Sequence, residues 1–350
     1  MNQLRIAERY VGEGHPTFII AELSANHGQD PERAIELVHA AARAGADAVK
    51  LQTYTPDTMT IRSSREWFRI GPGTLWEGRT LYDLYGEAST PWEWHPRLQE
   101  AAAEAGVLMF STPFDPTAVG YLERLDMPAY KIASFEILDL ALIRAVAETG
   151  KPIILSTGMA TLDEIEDAVG AAREAGNEQL ALLKCTSGYP AAPDEMNLRT
   201  IPDLRSRFEV PIGLSDHTLG VTVAVAAVAL GARIVEKHFT LSRDEPGPDS
   251  AFSLEPAEFE EMVDAVRTVE RALGEVHYGT SERESASRVF RRSLFVVADM
   301  AAGDRFTEAN VRAIRPGHGL APKHLEKVLG CRAATDIELG TPLSWDLVRR

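Results

Sequence analysis

Short apolar runs recur along the chain, and most end on a polar side chain. FIIAEL carries Glu22, AVKLQT ends at Thr53, VLMFST at Ser111 and Thr112, AYKIAS at Ser134 and PIILST at Ser156 and Thr157. LALLKC runs into Thr186, VPIGLSDH ends at His217 and GARIVEKH at His238. Runs of this length, rich in Ile, Val and Leu, predict strands buried on both faces. Between them lie stretches with helical spacing. In DPERAIELVHAAARAGA the residues Ile35, Val38 and Ala42 share a face; Asp30 is placed to cap the start, with Pro31 at the first helical position, and Gly45 to end it. TLDEIEDAVGAAREAG, VTVAVAAVALG and PAEFEEMVDAVRTVERALG continue the alternation. Strands joined by helices predict parallel pairing with right-handed crossovers. Eight units within roughly 250 residues predict a closed (β/α)8 TIM barrel over residues 1–274, with an open doubly wound sheet as the alternative.

Two segments break the rhythm. The stretch from Tyr54 to Trp94 is too long for an ordinary loop and holds four of the five tryptophans, with Arg79, Tyr82, Asp83 and Tyr85 among them. It predicts a lid over the strand ends, unless its aromatics serve only to pack the loop. After Gly274, the polar run HYGTSERESASR reads as a linker at 275–285. RRSLFVVADMAAGDRFTEANVRAIRPGHGLAP then alternates short strands with turns and predicts a small β-rich domain over 286–350.

A formal charge of −16 argues against a nucleic-acid surface but leaves room for an anion bound by a few focused lysines. No apolar run approaches the ~20 residues of a membrane span. The start, MNQLRIAERYVGEG, lacks the basic and apolar regions of a signal peptide, so a cytoplasmic protein is expected. Cys185 and Cys331 predict no disulfide, and Cys185 reads as a small buried residue.

A parallel barrel keeps its chemistry at the C-terminal ends of its strands. Glu22, Asn26, His27, Lys50, Gln52, Thr112, Lys131, Ser134, Glu136, Ser156, Lys184, Ser187, Ser215, His217, Glu236 and His238 fall there. Lysine is rarely buried without a partner, so Lys50, Lys131, Lys184 and Lys237 within strand runs point to an anion site. Pairing with Glu22, Glu136 or Glu236 is the plainer reading of some of them, and a Schiff-base lysine the chemical rival. His217 and His238, at successive strand ends, are placed to face each other across a metal, or to hydrogen-bond a substrate. His27 reads as a substrate contact, and His95 as one of the surface histidines. There is no GxGxxG after a strand, no Walker loop and no nucleophile elbow.

FIIAELSANHGQDPERAIELVHAAARAGADAVKLQTY, STPFD, YKIASFE, LSTGMA, LLKCTSGYPA, GLSDHTLG and EKHFTLSR, in this order and spacing, resemble the sialic acid synthase family. The likeness runs from about residue 4 to the end, where the tail resembles the family's antifreeze-like (SAF) domain. LQTYTPDTMT, LWEGRTLYDLYGEASTPWEWH and SFEILDLALI are similar to the branch whose acceptor is 2,4-diacetamido-2,4,6-trideoxy-L-altrose; neuraminate and legionaminate synthesis are the alternatives. The resemblance implies an enzyme that condenses phosphoenolpyruvate with an amino-sugar aldehyde. It implies that Lys50, Gln52, Thr112, Lys131, Ser134, Ser156, Ser187 and Ser215 hold phosphoenolpyruvate, although Ser187 stands where relatives commonly have Asn. It implies that His217 and His238 bind Mn2+ or Mg2+ and that Glu22 acts near the reacting carbons. Asn26, His27, Tyr189 and Asp249 then face the sugar, joined by Arg315 from the partner chain of a domain-swapped homodimer. A carbohydrate-binding module, the non-enzyme alternative, would leave the strand-end lysines and histidines without a role.

Overall fold

The computed structural model describes residues 3–245 and 247–350. All eight apolar runs are strands: β3 (Phe18–Glu22), β4 (Ala48–Thr53), β5 (Leu108–Pro113), β6 (Tyr130–Ile132), β7 (Ile153–Ser156), β8 (Leu180–Cys185), β9 (Ile212–Asp216) and β10 (Ile234–His238). They pair in parallel, in chain order, and β10 closes on β3. The barrel is therefore the closed form, and the open sheet is excluded.

Helices follow the strands on the outside. The first, Pro31–Arg43, is capped by the Asp30 side chain, which accepts from the Glu32 and Arg33 amides. The helix Thr200–Phe208, between β8 and β9, adds to those expected from sequence, with its buried Ile201, Leu204 and Phe208 at helical spacing. The outer layer between strands and helices holds Val49, Leu51, Ile132, Leu155, Leu182, Leu214 and Val235. The barrel interior holds the alternate positions Phe18, Ile20, Ala48, Phe110, Ala129, Ile154, Ala181, Leu183 and Ile234. Its lower end is stopped by a further hairpin, β1 (Gln3–Ile6) with β2 (Arg9–Gly12), whose Leu4, Ile6 and Val11 join the interior cluster. Gly213 sits in this inner layer because a Cβ there would lie 2.5 Å from the Ile234 carbonyl oxygen and 2.6 Å from Leu183.

The segment from Tyr54 to Trp94 is anchored at both ends. Tyr54 is buried against Tyr85 and Phe114, the Trp92 indole donates to the Tyr54 carbonyl at 3.2 Å, and Trp94 meets the His27 ring edge-on. His95, expected at the surface, is fully buried: its Nε2 lies 2.7 Å from Thr53 Oγ1, because it starts the helix His95–Ala105 facing the strands.

Residues 275–350 form a second unit with its own core, built from Leu294, Val296, Met300, Phe306, Val311, Val328, Ile337 and Leu343. Its strands pair antiparallel, β11 (Ser293–Val296) with β12 (Val311–Ile314) and β13 (Arg332–Ala333) with β14 (Val348–Arg349). A short helix, Glu282–Ser285, lies in the stretch read as a linker.

Candidate active site

Strand alternation decides what faces the barrel axis. Moving up the same inward positions that carry Ile20, Ala48, Ala129, Ile154, Leu183 and Ile234, one reaches Glu22, Lys50, Lys131, Ser156, Cys185 and Glu236. Glu22, Lys50, Gln52, Lys131, Ser134, Phe135, Ser156, Cys185, Tyr189, Ser215, His217, Glu236 and His238 line one cavity at the C-terminal end of the barrel. Larger hollows elsewhere on the surface lack this convergence of buried charge.

The floor of the cavity is a buried network of two ammonium groups and two carboxylates. Lys50 Nζ pairs with Glu22, lies 3.9 Å from Glu236 and donates to Thr112 Oγ1 at 3.3 Å. Lys131 Nζ donates to both oxygens of Glu236, at 2.8 and 2.9 Å, and Ser215 Oγ donates to Glu236 at 2.9 Å. Gln52 donates to Glu22 at 2.8 Å and to Ser24 Oγ at 3.0 Å. Burial pushes the Glu22 carboxyl above its ordinary range against the pull of Lys50. Glu236 is buried too, but two lysines hold it below that range. Burial likewise lowers Lys131, whereas Glu22 and Glu236 outweigh burial at Lys50 and raise it.

Hydroxyls ring this floor. The Gly158 amide donates to Ser134 Oγ at 3.0 Å, and Ser156 Oγ is buried without a protein partner. Ser187 Oγ lies within 3.9 Å of Cys185 Sγ. Gly158 must be glycine, since a Cβ would fall 2.4 Å from Ser187 Oγ and 2.6 Å from Ser134 Oγ. An unpartnered hydroxyl beside two ammonium groups is suited to an anionic substrate oxygen.

Above the floor, the His217 and His238 rings face each other, centroids 5.3 Å apart. His217 Nδ1 lies 2.9 Å from the Thr186 carbonyl, which can only accept, so this nitrogen carries a proton and Nε2 is the one left to face a metal; against burial, Cys185 and that carbonyl raise the His217 pKa. Burial and the positive groups around His238 hold its imidazole neutral, and its Nδ1 has no protein partner. Among the described residues no three His, Cys, Asp or Glu side chains form a metal cage. Two imidazoles suit a divalent cation whose remaining positions belong to water and substrate, with His217 giving up its extra proton on binding. Tyr189, which lines the cavity, meets the His217 ring at 4.4 Å, and Phe252 packs behind it against Tyr189 and His238, at 5.2 and 4.9 Å.

Residues 37–278 match the NeuB family, and residues 291–349 match the SAF domain. The chain belongs to the NeuB family. It is 48% identical over 326 residues to a pseudaminic acid synthase of Campylobacter jejuni, covering 93% of this chain and 95% of that one. It is 47% identical over 339 residues to a pseudaminic acid synthase of Helicobacter pylori, covering 96% and 98%. Among solved structures it resembles an N-acetylneuraminic acid synthetase of Leptospira borgpetersenii in complex with citrate, with a TM-score of 0.73 and 32% identity over 81% of this chain and 94% of that one.

In this NeuB-family barrel some of the expected site residues lie apart from the cavity. Asn26 Nδ2 donates to the Phe239 carbonyl at 2.8 Å and to Ser253 Oγ at 2.9 Å. His27 accepts from the Gln29 amide at 3.1 Å and lies 3.2 Å from Thr90 Oγ1. Both side chains tie loops together, and neither lines the cavity. Asp249 accepts from Ser24 Oγ, so it reaches the site through Ser24 and Gln52. Arg315 belongs to the second unit, just past β12, with its side chain exposed.

The four-lysine anion site reduces to two. Lys237 points outward and pairs with Asp216 at 2.7 Å, both side chains fully enclosed. Lys184 turns to its own loop, donating to the Cys185 carbonyl at 2.7 Å and to Thr186 Oγ1 at 3.0 Å. Cys185 is buried as expected, but it also lines the cavity, with Sγ 3.9 Å from His217 Nδ1. Glu236, expected at the strand ends as a lysine partner, pairs with Lys131, and strand alternation turns it inward with His238; Phe135 and Phe252 carry no such signal in sequence.

Proposed function

We propose that the chain is a pseudaminic acid synthase. It condenses phosphoenolpyruvate with 2,4-diacetamido-2,4,6-trideoxy-L-altrose and water to give pseudaminic acid and phosphate. The observation that carries this reading is the full-length likeness to pseudaminic acid synthases at 47–48% identity, against 32% to the neuraminic acid synthetase. The cavity supports the chemistry.

Lys50 and Lys131 each keep donor capacity beyond their carboxylate partners. With Gln52, Thr112, Ser134, Ser156, Ser187 and Ser215 they hold the phosphate and carboxylate of phosphoenolpyruvate. His217 and His238 hold Mn2+ or Mg2+, which supplies Lewis acidity toward the aldehyde oxygen. Tyr189, in the cavity lining, faces the sugar, and Asp249 acts on it through Ser24 and Gln52. C3 of phosphoenolpyruvate forms the new bond to the aldehyde carbon, leaving C2 electron-poor. Glu22, aimed by Lys50 and Gln52, takes a proton from the water that adds at C2. That proton ends on the new alkoxide oxygen; the C2–O bond then breaks as the C2 hydroxyl becomes the ketone, its proton leaving with phosphate.

The working form in this reading is a domain-swapped homodimer in which the partner's SAF unit covers the barrel mouth and supplies Arg315. Phe135, Leu138, Met159 and Leu219, exposed on the loops after β6, β7 and β9, give such a cover apolar ground. Phosphoenolpyruvate is an intracellular metabolite, which supports a cytoplasmic location. No helix among the described residues is long and apolar enough to cross a membrane.

The test is phosphate release from phosphoenolpyruvate with three acceptors: the L-altrose compound, the precursor of legionaminic acid and N-acetylmannosamine. The L-altrose compound should give the highest kcat/KM, chelation should abolish the rate and Mn2+ restore it. Preference for either other acceptor reassigns the enzyme within its family. A rate indifferent to chelation removes the metal.

A further inference from the structure

Within residues 71–78, Trp76 is the one side chain that is not exposed. It lies on a finger of the long segment after β4, closed by the Ile70 amide donating to the Arg79 carbonyl at 2.9 Å and the Gly78 amide donating to the Ile70 carbonyl at 3.0 Å. The finger reaches across the strand ends. The Trp76 indole N–H donates to the Pro248 carbonyl at 2.9 Å, on the loop after β10 that carries Asp249. Its ring meets Tyr189 at 5.9 Å, on the loop after β8, and Tyr189 in turn lies on His217. Trp67, on the same segment, is 81% exposed and makes no such bridge.

We infer that Trp76 sets the choice of acceptor as a positioning residue: it latches the finger to the loop after β10 and backs Tyr189, whose ring presents an aromatic face to the sugar's apolar side. The cavity divides by polarity. Its floor carries the buried charges, and the aromatic ring on its outer side is Tyr189, backed by Trp76 and Phe252. An anionic substrate belongs on the floor. A sugar carrying two acetamido methyls and a deoxy carbon has the C–H surface that an aromatic wall packs against. N-acetylmannosamine offers one acetamido group and a hydroxymethyl in place of the methyl, so the same wall disfavours it. This inference rests on the synthase reading proposed above.

The experiment compares Trp76→Ala, Trp76→Phe and Trp67→Ala in steady-state kinetics. Trp76→Ala should raise KM for the diacetamido acceptor about tenfold or more, shrink the preference over N-acetylmannosamine by a similar factor and leave KM for phosphoenolpyruvate within about twofold. Trp76→Phe keeps a ring but loses the bond to Pro248, and should fall between; Trp67→Ala should match the wild type. An unchanged acceptor KM and preference in Trp76→Ala overturns the inference. If the wild-type chain makes no acid from any acceptor, the synthase reading fails, and the latch is judged by hydrogen exchange instead. Faster exchange of the Ile70 and Gly78 amides in Trp76→Ala than in Trp67→Ala supports the latch, and equal exchange overturns it.

Discussion

Glu22 is gripped from two sides, by the Lys50 ammonium and the Gln52 amide, at the top of a strand that is apolar below it. Replacing it with Gln keeps the shape and an acceptor for Gln52 but removes the base. Glu22→Gln should lower kcat about a hundredfold or more while KM for phosphoenolpyruvate changes only a few-fold, as read by steady-state kinetics. Near-normal turnover would remove Glu22 from the chemistry. The pH profile carries the same assignment. Burial raises the Glu22 pKa, and the base must be ionised to accept a proton. Activity should therefore fall as pH drops through a point above the usual carboxylate range, and Glu22→Gln should lose that acid limb along with most of its rate.

At the scale of the element, the strand period sorts function from structure. In β10, Ile234, Glu236 and His238 face the axis, while Lys237 packs outward against Asp216 on β9. This buried pair sits one residue from each imidazole, and Asp216 also accepts from the Thr218 amide at 2.9 Å. Breaking one side of such a pair costs about 3–5 kcal/mol, so Lys237→Met should lower the unfolding free energy by about 3 kcal/mol or more in urea titration. Lys184→Met, at a half-buried lysine with no carboxylate partner, should cost far less. A stable Lys237→Met protein with a raised KM for phosphoenolpyruvate would return Lys237 to the anion site.

The same period explains what was legible in advance. The eight strands, the Asp30 cap and the inward Glu22, Lys50, Lys131 and His238 follow from runs and spacing. Lys184 and Lys237 misled because a lysine in a buried strand looks alike on either face until its parity is counted against an inward neighbour. Asn26 and His27 lie on a loop, where no period sets direction, and their partners Ser253 and Thr90 are distant in sequence. The hairpin of β1 and β2 is hard to read in sequence because its strands are four residues each and only β1 alternates exposed with buried positions.

The whole molecule is two units with separate cores, residues 1–274 and 275–350. The barrel carries the charged floor and both imidazoles within itself, so a fragment ending at Gly274 should fold and still bind phosphoenolpyruvate. If Arg315 of a partner chain completes the sugar site, the fragment should lose acceptor affinity, and the full chain should sediment as a dimer. A fragment that keeps the acceptor KM of the full chain would show that the second unit has no part in recognition.

The reaction itself is tested most directly by the fate of one oxygen. With phosphoenolpyruvate labelled by 18O in the bridge between C2 and phosphorus, mass spectrometry of the products from the L-altrose acceptor should find the label in phosphate. The nine-carbon acid should be pseudaminic acid and unlabelled, because water adds at C2 and the C–O bond breaks. Label retained in the acid, or no nine-carbon acid at all, would contradict the assignment.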